Sequence, residues 1–490
     1  MKRWMGLFVL CCFALLLTWP GVCGAQRYEA KWESIDKRPT PQWWVDAKFG
    51  IFIHWGVYSV PSWSVRGEYS EWYWNRITGD KAKNGPWWQY HKKMYGENFP
   101  YAEFAPMFKA ELYDPAQWAD IFHRSGAKYI VLTSKHHDGY CLWPSAEANR
   151  SWGRPWNSVD IGPNRDVLGE LTEAVRAKGI EMGFYYSLYE WYNPLWVTDR
   201  ALYIDKHMFP QFKDLVTRYK PTVIFSDGEW DMHSSEWRSE ELMAWLLNDS
   251  AVKDRVVIND RWGKESRHKH GGYWTTEYGA GLASGTHAWE ECRGMAHSFG
   301  YSRTESLSDY KSARDLILML IDIVSRGGNL LLDIGPDGDG TIPVIMEERL
   351  IQIGDWLKVN GEAIYGTQNW KKTIQWTEGK RPEVGYGQEY KAKYDIAELT
   401  RPPTGDKAVI ECFFTTKGDA LYAITPRWPG LELVIEDVEV SPNTNVTMLG
   451  VAQSVEWRRS GRNVVVQVPA LSIDEVPCQH AYVIKITHVR

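Results

Sequence analysis

Thr222-Val223-Ile224-Phe225-Ser226-Asp227-Gly228-Glu229-Trp230 is the stretch on which the fold turns. A β-rich apolar run stops abruptly in a carboxylate, a glycine and an indole. A short strand that is apolar along its length is buried on both faces, as in a parallel sheet covered by helices. The pattern recurs upstream and downstream. Strand-like runs occupy Phe49–His54, Tyr129–Ser134, Met182–Ser187, Val256–Asn259, Gly272–Thr276 and Asn329–Ile334, which with Thr222–Phe225 makes seven. Most lead straight into polar residues: His54-Trp55-Gly56, Lys135-His136-His137-Asp138-Gly139, Asp260-Arg261-Trp262 and Glu277-Tyr278.

Helical segments lie between several of these strands. Pro115–Ser125 carries Trp118, Ile121 and Phe122 on one face, with Asp114 as N-cap. Leu168–Ala177 stops at Gly179, Phe212–Tyr219 stops before Pro221, and Ala313–Ser325 stops at Gly327-Gly328. Strands alternating with helices, and reactive side chains gathered at the strand C-termini, predict an α/β fold with a (β/α)8-like barrel. An open doubly wound sheet is disfavoured, because no G-x-G-x-x-G follows the first strand.

After about residue 370 the texture changes to short β-rich runs, Val409–Phe414, Ala420–Thr425, Leu431–Val440, Val446–Leu449 and Asn463–Val468, parted by Gly, Pro, Asn and Ser. These predict a C-terminal antiparallel β-sandwich, read as a stabilising appendage rather than a sugar-binding module. The expected division is a signal peptide over 1–25, a catalytic barrel over 26–368 and the sandwich over 369–490.

Composition narrows the function. Of 490 residues 44% are hydrophobic and 24% charged, enough for two or three domains with real cores. The formal charge is −6, without basic stripes interleaved with aromatics, so nucleic acid is excluded as a partner. Lys2 and Arg3, the apolar run Leu7–Leu17 and the small residues Cys23-Gly24-Ala25 form a secretory leader too short to span a bilayer. Its loss would take the charge from −6 to −8. The expected location is secreted or periplasmic, and a lysosomal-type lumen is compatible with the same leader. Three of 7 cysteines lie in or beside the leader, and Cys141, Cys292, Cys412 and Cys478 are far apart without CxxC spacing, which argues against a disulfide framework or a thiolate zinc site. Asn149, Asn248 and Asn445 head glycosylation sequons.

The 28 Trp and 26 Tyr are unusual. Most must be packing, but an indole face also suits the C–H face of a sugar. An Asp at a strand end beside Trp230, with imidazole, indole and acidic groups at the neighbouring strand ends, suits a hydroxyl-rich ligand and a glycosidase. A glycosidase working through a covalent intermediate needs two carboxyl groups, one as nucleophile and one as acid and then base.

The constellation resembles family 29 of the glycoside hydrolases, the retaining α-L-fucosidases. The resemblance spans most of residues 28–366 and rests on Trp43-Trp44 through Gly50-Ile51-Phe52-Ile53-His54-Trp55-Gly56, Glu71-Trp72-Tyr73, Ala127-Lys128-Tyr129 through Lys135-His136-His137-Asp138-Gly139, Asp227-Gly228, and Trp289-Glu290 through Ser298-Phe299-Gly300-Tyr301. It implies that Asp227 is the nucleophile. It assigns the fucose contacts to His54, Glu71, Trp72, His136, His137, Tyr186 and Arg261, with Phe299 facing the C5 methyl. It favours Glu277 as acid/base, with Glu290 as second choice. Phe225 and Ser226 precede Asp227 where an indole is common in the family. The loops Gly79–Pro100 and Lys264–Gly271 are expected to govern what lies beyond the fucose.

The expectation is therefore an exo-acting retaining α-L-fucosidase taking a fucosylated glycan, with no cofactor, no metal and no membrane span; a homo-oligomer is compatible with the chain. Two rivals come from other classes. One is a metal-dependent hydrolase built on His54, His136, His137 and Asp138, although no H-x-H or H-E-x-x-H spacing joins them and neighbours on a regular strand point to opposite faces. Activity lost on chelation and restored by zinc would favour it. The other is a non-catalytic fucose-binding protein, favoured if fucose binds and an activated aryl fucoside is not hydrolysed.

Overall fold

The computed structural model describes residues 27–285, 287–387 and 394–489. The expected leader lies outside them. Eight strands form one parallel sheet: β1 (Phe49–Ile53), β2 (Tyr129–Lys135), β3 (Glu181–Ser187), β4 (Val223–Asp227), β5 (Val257–Ile258), β6 (Trp274–Glu277), β7 (Trp289–Gly294) and β8 (Asn329–Ile334). Their order, β5-β4-β3-β2-β1-β8-β7-β6, is that of a (β/α)8 barrel opened between β5 and β6. The seam is narrow, since the backbone N–H of Tyr273 reaches the carbonyl of Ile258 at 3.1 Å. Helices follow β1 to β4, β7 and β8; among the described residues β5 and β6 are followed by loops alone.

The pleat sorts each strand into two sets. Phe52, Val131, Tyr185, Val223, Phe225, Cys292 and Leu331 point into the barrel and pack together. Ile51, Ile53, Ile130, Leu132, Phe184, Tyr186 and Leu332 point outward under the helices. Every residue of β7 is buried. Sequence reading finds seven strands and misses this one, because Trp-Glu-Glu-Cys-Arg-Gly carries three charged residues and nothing β-branched. The charges are tolerated because they are partnered: Glu291 accepts from Thr276 and from the Gly279 N–H, and Glu290 accepts from Tyr129.

Two antiparallel sheets follow the barrel. One holds β9 (Gln368–Trp376), β10 (Ile410–Lys417), β11 (Ala420–Thr425), β13 (Asn445–Met448) and β16 (Tyr482–Thr487); the other holds β12 (Glu432–Ile435), β14 (Trp457–Ser460) and β15 (Asn463–Gln467). Phe414, Leu421, Ala423 and Ile484 from the first face Leu433, Ile435, Val464 and Val466 from the second, the expected sandwich core. The helix Ala313–Ser325 is buried at every residue from Leu316 onward, because the barrel covers one side and β9 and β10 the other. That double cover explains its nearly all-apolar sequence. Asp322, the one fully buried charge within it, pairs with Arg326 at 2.7 Å and accepts from Tyr394. Cys141, Cys292, Cys412 and Cys478 are free thiols. No helix among the described residues is long and apolar enough to cross a membrane.

Candidate active site

The C-terminal mouth of the barrel holds a pocket of ≈ 70 Å³ lined by His54, Glu71, Trp72, His136, His137, Asp227, Arg261, Glu277 and Phe299, together with Phe52, Tyr69, Tyr185, Phe225, Trp230 and Cys292. Nine of the sequence-expected residues thus converge on one cavity. A larger groove of ≈ 690 Å³ around Arg38 and Lys253 lies on the opposite, N-terminal face of the barrel, where barrel enzymes do not place their chemistry.

Asp227 ends β4. Its Oδ2 accepts from the Tyr185 hydroxyl at 2.8 Å and its Oδ1 from Arg261 Nη1 at 3.1 Å. His137 Nε2 lies 3.5 Å from Oδ2, and Arg267 3.9 Å from Oδ1. Burial alone would push this carboxyl up, but the guanidiniums of Arg261 and Arg267 outweigh it and hold it well below the usual range. Asp227 is therefore a carboxylate at any working pH. The second arm of Arg261 donates to Glu277 Oε2 at 3.0 Å. One planar guanidinium so carries both candidate acids, on adjacent prongs of its fork. Arg261 is aimed in turn by Thr275, which accepts from its Nε at 3.0 Å, and lies over the Phe225 ring at 4.9 Å.

The backbone just past Glu277 is strained. Tyr278 has φ of 44°, and its hydroxyl accepts the Gly294 N–H at 3.0 Å. A non-glycine residue in the left-handed region persists only where its surroundings hold it. Here the ring is held against Tyr69 and Phe299, which close the same side of the pocket.

The histidines are neutral. Burial pushes His54 down to about 3 and lowers His136 and His137. Ser187 gives its proton to the Tyr189 carbonyl at 2.6 Å, so its oxygen accepts from Nδ1 of His137 at 2.6 Å. Nε2 of His137 is left with a lone pair facing the pocket, an acceptor for a sugar hydroxyl. His136 Nδ1 is buried and has no hydrogen-bond partner among the described residues, the state of a group that waits for a ligand. His54 Nδ1 pairs at 2.6 Å with Asp333, a carboxyl at the end of β8 that burial raises well above its ordinary range. A protonated Asp333 donates to Nδ1, which leaves Nε2–H of His54 as a donor. His54 also stacks on Phe299, with centroids 4.7 Å apart.

Glu71 is 2% exposed and accepts from the Gly300 N–H at 2.9 Å and from Ser298. Burial pushes its carboxyl up to about 8, so it is neutral at pH 7 and can donate. The folded state keeps a proton that the unfolded chain releases near pH 4.5, so this residue's contribution to stability is lost as the pH rises through about 8. Glu71→Gln keeps the shape and cannot ionise. We expect its melting temperature to fall less steeply than wild type between pH 5 and 8.5. The fall of kcat/KM near pH 8 expected of wild type should disappear in the variant. Scanning fluorimetry and a pH–rate profile measure the two.

Three sequence expectations need correction. Tyr186 does not reach the pocket; its hydroxyl donates to Gln211 Oε1 at 2.8 Å outside the barrel, and Tyr185 takes the place assigned to it. Adjacent strand residues face opposite ways, and two neighbouring tyrosines hide which one faces in. We expect Tyr185→Phe to lower kcat/KM by about 10- to 100-fold through loss of one donor to Asp227. Tyr186→Phe should leave kcat/KM within about twofold and cost about 1 kcal/mol of stability, as steady-state rates and denaturant unfolding would show. Glu290, the second choice for acid/base, lies deep in the barrel against Tyr129 at the start of β2 and is absent from the pocket lining. His136 and His137 do not diverge. The β2–β3 register shifts between Thr133 and Lys135 and the strand ends at Lys135, so both rings enter the pocket with centroids 4.2 Å apart. Asp138, the fourth member of the metal reading, turns away to Tyr101 and the Tyr140 N–H. No group of three His, Cys, Asp or Glu side chains among the described residues is arranged to hold a metal ion.

Several pocket groups escape sequence reading. Asp333 ends the apolar run Asn329–Ile334 with no visible partner. Tyr69 sits in a loop; Trp230, visible in the sequence beside Asp227, stacks on Trp72 at 5.9 Å with 38% of its surface exposed at the rim. Glu229 is buried behind Asp227 and accepts from Arg267 at 2.7 Å. Only its position two residues past Asp227 hints at this.

Comparison with known proteins agrees with the geometry. Residues 21–362 match the family model described as alpha-L-fucosidase, and residues 405–487 match the alpha-L-fucosidase C-terminal domain. An alpha-L-fucosidase of Branchiostoma floridae is 42% identical over 97% of this chain and 99% of its own, and the tissue alpha-L-fucosidase of Homo sapiens is 39% identical over 95% and 93%. The crystal structure of the Thermotoga maritima alpha-fucosidase in complex with fucose superposes with a TM-score of 0.75 at 34% identity, over 94% of this chain and 100% of that one. By sequence, by architecture and by the acids gathered at the barrel mouth, the chain belongs to the α-L-fucosidase family of glycoside hydrolases.

Proposed function

We propose that the protein is an exo-acting, retaining α-L-fucosidase that removes terminal α-L-fucosyl residues from glycans by double displacement. The observation that carries the reading is the pair Asp227 and Glu277 on one Arg261 fork, inside one small pocket at the barrel mouth. Asp227, held ionised, attacks the anomeric carbon. Glu277 protonates the departing glycosidic oxygen and then takes a proton from the incoming water. Neutral His137 accepts from one sugar hydroxyl, while His54 Nε2–H and neutral Glu71 donate to others. Phe299, Phe52 and Tyr278 offer an apolar wall for the C5 methyl. Residues 26–368 form the catalytic unit and 369–490 support it, with the helix Ala313–Ser325 as the shared layer. Export by the leader would deliver the enzyme to a secreted, periplasmic or lysosomal-type compartment.

The test is the stereochemistry of the first-formed product. Proton NMR of the hydrolysis of an aryl α-L-fucoside should show the α anomer of fucose appearing first, followed by mutarotation. Initial release of the β anomer would overturn double displacement.

A further inference from the structure

Behind the pocket, on the outer side of β2 and β3, lies a charged cluster that the mechanism does not use. Lys135, Glu190 and His207 are each 0% exposed. Glu190 Oε1 accepts from Lys135 Nζ at 2.9 Å and lies 2.6 Å from His207 Nε2; Oε2 accepts from Trp152 Nε1 at 2.9 Å and Asn193 Nδ2 at 2.6 Å. Burial raises this carboxyl, but His207 and Lys135 reverse the shift, so it stays ionised. Buried ion pairs are costly to assemble and often no more stabilising than an apolar replacement. Such a cluster invites a reason beyond stability.

Chain position supplies one. Lys135 immediately precedes His136 and His137, and Glu190 stands between Tyr189 and Trp191. The Trp191 N–H donates to the His137 carbonyl at 2.9 Å, and the Trp191 ring packs on Trp72 and His137 at 5.1 and 5.3 Å. The Tyr189 carbonyl receives the Ser187 proton that fixes the His137 tautomer. Gly139, at φ of 75°, brings its loop straight over the carboxylate; a Cβ there would stand 2.6 Å from Glu190 Oε2. His207 comes from a π-helical turn, Ile204–Met208, a feature that recurs at functional sites.

We propose that the Lys135–Glu190–His207 cluster is a positioning element: it clamps the loops after β2 and β3 back to back, and so sets His137 and Trp72, backed by Trp191, against the sugar. Lys135 and Glu190 act through their neighbours and touch no substrate. The idea rests on the sugar-site reading above.

The test compares three variants for melting temperature, for kcat and KM on an aryl α-L-fucoside, and for the Kd of L-fucose by calorimetry. Trp152→Phe removes one donor to Glu190 and leaves the ion pair. We expect it to stay folded, with KM and the fucose Kd raised about fivefold and kcat changed less. Glu190→Gln strands Lys135 and should lower both melting temperature and affinity. Lys135→Met/Glu190→Gln removes the stranded charge and should recover melting temperature while KM and Kd stay raised about tenfold. A folded double variant and a Trp152→Phe enzyme that both bind fucose as wild type would overturn the proposal. Asp227→Ala, run alongside, separates the failures: activity surviving in that variant would remove the sugar-site reading itself, whereas its loss beside wild-type affinity in the cluster variants would remove the clamp alone.

Discussion

Asp227→Gly should lower kcat by about 10⁴-fold or more, close to the loss seen when the nucleophile of a covalent mechanism is deleted. The side chain stands at the pocket floor between Tyr185 and Arg261, so its removal opens space without breaking the barrel core. Arg261 keeps Glu277 as its counterion, and the melting temperature should move by only a few degrees. In the proposed mechanism the vacated volume lies beneath the anomeric carbon. Sodium azide should restore turnover of an aryl α-L-fucoside and deliver β-L-fucosyl azide, with one displacement in place of two. A variant that keeps near-wild-type activity would take the nucleophile role from Asp227.

Glu277→Gln separates the two steps. Its effect should depend on the leaving group, because an activated aryl oxide departs without a proton and a sugar alkoxide does not. On a fucosylated oligosaccharide kcat/KM should fall about 10²- to 10⁴-fold, the ordinary worth of a positioned general acid, and on a dinitrophenyl fucoside only several-fold. The second step still lacks its base, so the fucosyl-enzyme should accumulate and show as a burst of aryl oxide. Azide should relieve the block and yield α-L-fucosyl azide, the opposite anomer from that expected of Asp227→Gly. Equal losses on both substrates would mean that another group is the acid. Glu290 has little claim to that role, since it sits in the barrel interior with Tyr129.

Much of the fold can be read along the chain because parallel strands buried on both faces leave continuous apolar runs. The ends of β1, β2, β4 and β6 are visible for the same reason: the run stops where the sheet meets solvent, and His54, His136, Asp227 and Glu277 stand at or just past the stop. β7 escapes because its buried charges are balanced by Tyr129, Thr276 and a backbone N–H that lie far away in sequence. Tyr186 is misplaced because period-2 alternation fixes relative but not absolute parity when both candidates are tyrosine. The convergence of His136 and His137 depends on a register shift that no local propensity encodes.

The two acids, the imidazoles and the barrel that displays them are present in residue order, since hydrophobic period and chain breaks are local properties. Which groups are charged is not. Glu71 becomes a neutral donor, Asp227 a permanent anion and His137 an acceptor only when burial and partners from other strands act together on each, Arg261 from beyond β5, Ser187 from β3, Gly300 from beyond β7. Protonation follows from desolvation and from charges brought close in space, and those exist only after the chain has closed on itself.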